Sequence, residues 1–325
     1  MSDAKKILIS EDIEGTGIDQ LRAKYEVTAD PMMWKDPVKL EEAIRGVEAL
    51  FVRNQTLVTE PLLVKADRLR VIARAGVGYD NIDIEAASKA GVVVCYSPDE
   101  NAVSVAEHVF ALLLALARKI PGADQSVKDG RWERKKYHGI ELWGKVLGIL
   151  GLGKIGFRVA LRARAFGMRI LAHDSYLSRS HVHVTESGAV MAPLDQLLSE
   201  SDFLTLHLPL NRETRGLLGG HLLRKMKPTS FLINTSRGEV VVEKDLVEAL
   251  RERKIAGAAL DVQEKEPPPF DSPLLALDNV ILTLHTAALT HEAQEKVIDA
   301  IAEDVDRVLD GQPARRYVNF PVPKR

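Results

Sequence analysis

One stretch limits the folds open to this chain more than any other. Lys145-Val146-Leu147-Gly148-Ile149-Leu150 runs directly into Gly151-Leu152-Gly153-Lys154-Ile155-Gly156. The first half is a short apolar run that stops at a turn, the pattern of a buried parallel strand. The second half is G-x-G-x-x-G, and the residues after it read as a helix. Each glycine then has its own task. Gly151 permits the tight turn, Gly153 lets backbone approach a pyrophosphate, and Gly156 lets the helix pack close to the strand. The helix start offers N–H groups and a partial positive charge to phosphates.

A lone glycine motif is weak, because glycines gather in many turns. Here a third signal joins strand and helix. Arg169–His173 reads as the next strand, and Asp174 follows it 18 residues beyond Gly156, close to the ~20 expected of a ribose-binding acid. A carboxylate there accepts from the ribose hydroxyls and repels a 2′-phosphate, which selects NAD over NADP. Arg179 lies too far along to serve a phosphate. The expected cofactor-binding turn is therefore Gly151, Gly153, Lys154, Ile155 and Gly156, with Asp174 at the ribose.

The motif sits near the middle of 325 residues, so a second body of protein precedes it, and a chain of this length is expected to form two domains. Residues 6–10, 49–52, 69–73 and 91–95 read as strands, with helical 18–24 and 40–44 among them. After the motif, strands are expected at 169–173, 203–208, 230–234, 256–261 and 280–285, with helical 194–198, 221–226 and 244–253 between them. A last amphipathic helix is expected over 292–309. Such alternation implies parallel sheets covered by helices, hence an α/β fold with two doubly wound parallel-sheet domains.

Composition narrows the partners. A formal net charge of −2 gives no basic surplus for nucleic acid or a membrane surface. The longest apolar run, residues 109–117, is too short to cross a bilayer. Cys95 stands alone, so the expected setting is a reducing cytoplasm, and no metal-ligand spacing appears. Ser97-Pro98-Asp99-Glu100-Asn101 has turn chemistry, and behind it Ala102–Arg118 is apolar on most faces, with Asn101, Ser104, Glu107 and His108 in one polar stripe. A helix apolar nearly all round belongs in a core or a subunit interface. A charged arm over 124–141 follows, with Trp132 and Tyr137 set among its charges. Together these features predict a homodimer, with tetramers open.

Three expected strands end in histidine, His173, His207 and His285, and the carboxyl ends of parallel strands face ligands. Position alone does not choose among them. Arg237, in Asn234-Thr235-Ser236-Arg237-Gly238, is placed either to reach a ligand or to sit on the surface, and Glu266, in the loop after Asp261, is equally open.

Five segments together resemble the D-2-hydroxyacid dehydrogenase family. They are Arg74-Ala75-Gly76-Val77-Gly78-Tyr79-Asp80-Asn81-Ile82-Asp83, Ser104-Val105-Ala106-Glu107, the glycine motif, residues 234–238 with 261–267, and Leu284-His285. They run in the family's order over nearly the whole chain. The resemblance implies a central Rossmann NAD-binding domain with a dimerisation arm, residues 99–290. It is inserted in a flavodoxin-like substrate-binding domain, residues 1–98 with 291–325. By the same resemblance Arg237 binds the substrate carboxylate and polarises its carbonyl, His285 is the acid–base group, and Glu266 is its carboxylate partner. A guanidinium offers a planar pair of donors and stays charged. A carboxylate beside an imidazole favours the protonated ring, which can donate to a ketone oxygen. The resemblance also gives the substrate carboxylate to the backbone N–H groups of Val77 and Gly78. It sets Leu208, Pro209, Thr214, Thr235, Ser236, Asp261 and Ala287 around the cofactor. The chain departs from the family pattern at Leu284, usually Pro, at Ala288, often Gly, and at Glu239, usually a small residue.

The resemblance is sharpest to the family's phosphoglycerate dehydrogenase branch, through residues 52–59 and 129–136. It implies that Arg53 and Arg74 meet the far end of the substrate and that Arg134 arrives from a second subunit. Clustered arginines suit a second anionic group, phosphate or sulfonate. The expected partner is thus a small anionic 2-hydroxy or 2-oxo acid, 3-phosphoglycerate or an analogue such as 3-sulfolactate. The alternatives are a broad hydroxypyruvate or glyoxylate reductase and a non-catalytic NAD(H)-sensing corepressor of the same fold. The chain ends soon after its last helix, so feedback through an appended regulatory domain is not expected.

Overall fold

A computed structural model describes residues 4–324, and in it every strand pairing is parallel. One compact unit runs to Asn101 and resumes at Leu289, and Ala102–Ala288 forms the other.

The first unit holds β1 (Lys6–Ile9), β2 (Glu26–Ala29), β3 (Ala49–Val52), β4 (Val71–Arg74) and β5 (Val93–Cys95) in the order β2-β1-β3-β4-β5. That is the doubly wound order of flavodoxin-like sheets. Apart from the exposed edge strand β2, its strands are largely apolar without alternation because both faces are covered. Ile7, Ile9, Ala49, Phe51, Val71 and Ala73 pack on one side with Val297, Ile301 and Val305. Leu8, Leu50, Val52 and Ile72 pack on the other with Leu40, Leu62 and Leu63. The amphipathic helix His291–Leu309, capped by the Thr290 hydroxyl on Ala293 N–H, supplies the first of these layers. The chain therefore returns to its first unit to finish that core.

The second unit has β6 (Val146–Leu150), β7 (Arg169–His173), β8 (Val190–Met191), β9 (Phe203–Leu206), β10 (Phe231–Asn234), β11 (Gly257–Leu260) and β12 (Val280–Leu282). Their order, β12-β11-β10-β9-β6-β7-β8, is the Rossmann arrangement with one further strand. Helices Ala102–Arg118 and Lys154–Ala165 cover one face through Val109, Phe110, Leu113, Val159 and Ala163. The apolar helix is thus explained by the core of its own unit.

Several expected boundaries are corrected. The strand expected over 203–208 stops at Leu206 and the one over 280–285 stops at Leu282, so His207 and His285 lie in the loops beyond and only His173 ends a strand. His285 has φ 55, which an extended strand excludes. The charged arm over 124–141 begins inside the helix Ile120–Lys128 and later contains a single tight turn, Arg134–Tyr137. Helices Glu60–Lys65, Ile84–Lys89 and Val182–Ser187 have fewer than two turns each, too little for periodicity to register. Among the described residues no helix is long and apolar enough to cross a membrane.

Candidate active site

In the second unit the expected cofactor residues gather at the carboxyl end of the sheet. Gly151 follows β6 with φ 93, in the left-handed region that favours glycine. A Cβ there would come within 2.5 Å of the His207 carbonyl oxygen and 3.1 Å of Leu208, which places the loop after β9 directly against the turn. A Cβ on Gly156 would lie 2.2 Å from the Gly151 carbonyl oxygen, whereas one on Gly153 would meet nothing within 4 Å. Gly156 is thus the close-packing position and Gly153 the open one. Lys154 and Ile155 begin the helix, and its N-cap Gly153 has no side chain to cap the first turn.

Asp174 accepts from Leu152 N–H at 2.9 Å through Oδ2 and from Tyr176 N–H at 2.9 Å through Oδ1. The carboxylate is fixed beside the turn, and each oxygen keeps a second lone pair for a ribose hydroxyl. Thr214 folds the loop after Pro209 on itself, its hydroxyl donating to the Pro209 carbonyl at 2.6 Å. Thr235 and Ser236 follow β10 and are buried, and Thr235 Oγ1 has no hydrogen-bond partner among the described residues. An open glycine, an uncapped helix start and an orphaned hydroxyl fit a bound dinucleotide.

The structure separates the three histidines that sequence position left equal. His173 Nδ1 is 3.0 Å from the Ala192 carbonyl oxygen, a structural bond. His207 is held neutral by burial, its pKa lowered to about 3, and its Nε2 meets Thr205 Oγ1 at 3.0 Å. His285 alone of the three has a carboxylate, Glu266 Oε2, at 2.7 Å from Nδ1. Glu266 Oε1 also accepts from Gln263 N–H at 3.1 Å, so the acid is anchored on both oxygens.

The arginine loop joins the same cluster. Asn234, the last residue of β10, accepts from Ser236 N–H at 3.0 Å and from the Ser236 hydroxyl at 2.8 Å, and donates to the Arg237 carbonyl at 2.9 Å. One amide side chain therefore shapes the whole 234–237 bend. The next residue, Gly238, packs so closely on Gln263 that a Cβ would fall 2.0 Å from its carbonyl carbon. Arg237, Gln263, Glu266 and His285 form a continuous run of neighbours. Sequence reasoning left out Asn234 as an organiser, although an amide at the first position of a small-residue bend is the available signal. Asp261, expected at the cofactor, is fully buried and bonds the loop around His285. Ala287 lies in that loop, also buried. Leu284, at the family's proline position, is 88% exposed, so it contributes little packing there. Glu239 takes Gly216 N–H on its backbone oxygen at 2.7 Å and so ties two loops together.

In the first unit Val52 pairs with Arg74 across β3 and β4, which sets Arg53 and Arg74 at the carboxyl ends of adjacent strands. Glu11, buried, accepts from the backbone N–H groups of Arg53, Asn54, Gln55 and Thr56 at 2.7, 3.3, 3.1 and 2.9 Å. This clamp was not legible in the sequence. Burial lowers the Arg53 pKa while Glu11 and Asp12 pull it upward, and its guanidinium bonds Gln294. Arg74 is buried, with Nη1 donating to the Ala75 carbonyl at 2.9 Å. Gly76, at φ 146, makes room for that guanidinium. Among the described residues no backbone acceptor takes the N–H of Val77 or Gly78. Arg134 is exposed in its turn.

Sheet order, glycine turn and the acid after β7 define the second unit as a Rossmann domain that binds NAD. Residues 110–287 match the family described as D-isomer specific 2-hydroxyacid dehydrogenase, NAD binding domain. The chain belongs to the D-isomer specific 2-hydroxyacid dehydrogenases. It is 47% identical over 320 residues to a D-3-phosphoglycerate dehydrogenase of Archaeoglobus fulgidus, covering 97% of this chain and 59% of that protein. A glyoxylate reductase of Korarchaeum cryptofilum is 39% identical, over 98% of this chain and 97% of the relative. A crystal structure of a Thermus thermophilus protein superposes with a TM-score of 0.90 at 33% identity, covering 96% of this chain and 99% of that one. The chain thus spans about three-fifths of its phosphoglycerate-type relative, 59%.

Proposed function

We propose that this chain is an NAD-dependent dehydrogenase of D-2-hydroxy acids whose preferred substrate is 3-phosphoglycerate, oxidised to 3-phosphohydroxypyruvate. The observation that carries the chemistry is His285 held at 2.7 Å by Glu266 in the unit that contains the dinucleotide turn. In this reading Glu266 accepts from Nδ1–H, which leaves Nε2 to take the proton of the substrate hydroxyl. Arg237 binds the substrate carboxylate and holds the carbinol carbon in place. NAD held at the glycine turn and Asp174 would supply the hydride acceptor, so the alcohol would lose its hydride there and its proton to His285 Nε2, leaving a ketone. The N–H groups of Val77 and Gly78 serve the carboxylate as well.

Arg53 and Arg74 support a substrate with a distant anion, and the name of the Archaeoglobus fulgidus relative fits one. The 234–237 bend, Asp261 and Ala287 frame the cofactor in this reading. The domain roles follow: residues 1–98 with 291–325 take the substrate, and 99–290 take NAD and carry the arm. A second reading, reduction of a small 2-oxo acid such as glyoxylate, draws on the Korarchaeum cryptofilum relative, which the chain matches over nearly its whole length.

Substrate kinetics separate the two. With wild-type protein, kcat/KM is expected to be highest for 3-phosphoglycerate or 3-sulfolactate among those, glycerate, lactate and glyoxylate. Arg53→Gln removes one charge-assisted contact, so KM for the phosphorylated acid should rise about 10–100-fold while KM for glyoxylate moves less than about threefold. Because Glu11 holds the backbone of that loop, the variant should fold. Equal effects on both substrates would favour the small-acid reading.

The same reading brings Arg134 to the site of a second copy, in a homodimer. Trp132 and Trp143 are 78% and 77% exposed on and after the arm, large aromatic surfaces of the kind enriched at interfaces. Sedimentation at micromolar concentration should show a dimer, and a stable monomer would remove Arg134 from the site.

A further inference from the structure

The loop that carries His285 is wound on one buried carboxylate, and a histidine from a distant helix holds that carboxylate. Asp261 Oδ1 accepts from the Thr283 hydroxyl at 2.6 Å and from Thr286 N–H at 2.9 Å. Its Oδ2 accepts from Ala287 N–H at 2.8 Å, and its backbone carbonyl accepts from His285 N–H at 2.8 Å. Residues 283, 285, 286 and 287 are therefore all tied to Asp261, and Leu284 projects outward between them. The turn they enforce gives His285 its φ of 55, a conformation that non-glycine residues avoid unless neighbouring bonds hold it.

His108 enters from the helix Ala102–Arg118. Its Nε2 lies 3.3 Å from Thr283 Oγ1 and 3.4 Å from Asp261 Oδ1. A carboxylate only accepts, and Thr283 already gives its single proton to Asp261, so both contacts need the ring proton on Nε2. Burial works against the charged carboxylate, but the bonds from His108, Thr283, Thr286 and Ala287 prevail and hold Asp261 well below the usual carboxylate range. In the sequence His108 was one member of a polar stripe, with nothing to set it apart.

We infer that His108 is a positioning residue for the proposed reaction: through Asp261 and Thr283 it fixes the left-handed turn that aims His285. The inference rests on the assignment of His285 as the acid–base group. Its consequence is specific. Losing the Nε2 donor loosens the turn beneath His285 and leaves the glycine cradle, built on β6 and β7, untouched. A reacting group displaced by a fraction of an ångström loses rate without losing ligand affinity.

Two substitutions test it. His108→Phe keeps a planar ring and removes the donor, and His108→Gln sets an amide N–H near the place of Nε2. Steady-state kinetics, NADH titration and amide hydrogen exchange of residues 283–287 are measured on both. For His108→Phe, kcat should fall about 10–100-fold, KM values should stay within about threefold, and exchange of the segment should accelerate. NADH affinity should fall clearly less than kcat, because only Ala287 of the proposed cofactor frame lies in the loosened segment. His108→Gln should recover most of kcat. If the Phe variant does not fold, Thr283→Val, which strips the bridging hydroxyl at similar shape, carries the same expectation. Faster exchange with unchanged kcat would overturn the positioning role, and so would a Gln variant as impaired as the Phe variant. If wild-type protein turns over no hydroxy acid, the assignment of His285 fails first, and the exchange rates still report whether His108 secures the loop.

Discussion

Asparagine at position 285 is expected to lower kcat by about 10²–10⁴-fold and to leave NADH affinity within a few-fold. The choice of asparagine follows from the backbone. His285 occupies φ 55, and asparagine enters that region more readily than other non-glycine residues, so the loop should keep its turn. Asparagine also retains a side-chain donor for Glu266 but offers no group that exchanges a proton near neutral pH. Gly151, Asp174 and Thr235, proposed above to hold the dinucleotide, make no bond to His285, so cofactor binding should survive. Stopped-flow absorbance of NADH at saturating substrate reads the chemical step, and a fluorescence titration reads affinity. Glu266→Gln should cost less than His285→Asn, because an amide oxygen still orients the ring while the negative charge is lost. If His285→Asn retained kcat within about threefold, proton transfer would have to belong to another group. His207 would be a poor replacement, since burial lowers its affinity for a proton and makes it a weak base.

The contrast among these histidines shows what sequence could and could not reveal. Strand cores were legible because both faces of each sheet are covered, which produces unbroken apolar runs such as Ala49–Val52 and Val146–Leu150. The cofactor turn was legible because its glycines answer separate steric demands: φ 93 at Gly151, open space at Gly153, and at Gly156 a helix so close that a Cβ would lie 2.2 Å from the Gly151 carbonyl oxygen. Strand ends were less so. Apolar character continues past Leu206 and Leu282, while the hydrogen bonds that end a strand come from elsewhere, as with His285 N–H on the Asp261 carbonyl. Contacts between residues far apart in the chain left no local trace. Glu11 clamps the loop at Arg53 from 42 positions away, and His108 meets Thr283 across 175. Neither role marks its own stretch of sequence, because each depends on which loops the parallel sheets bring together.

Removing the Arg237 side chain is the second large effect expected. Arg237→Ala should lower kcat/KM by about 10³-fold, close to 4 kcal/mol of lost transition-state stabilisation. The loss should divide between kcat and KM, because a guanidinium that binds the carboxylate in the ground state and polarises the carbonyl in the transition state serves both. The loop should keep its shape in the variant. The bend is held by Asn234 through Ser236 and through the backbone carbonyl of Arg237, bonds that do not use the arginine side chain. Gly238 packs on Gln263 through its backbone in either protein. Arg237→Lys keeps the charge and loses the planar fork, so it should recover only part of the rate. Added guanidinium should raise the activity of Arg237→Ala and leave Arg237→Lys unchanged, because only the alanine variant opens space for it. If Arg237→Lys matched wild type, a simple positive charge would suffice and two-point binding of the carboxylate would be wrong. If Arg237→Ala lost NADH affinity in parallel with rate, the residue would belong to the frame of the cofactor turn and not to the substrate.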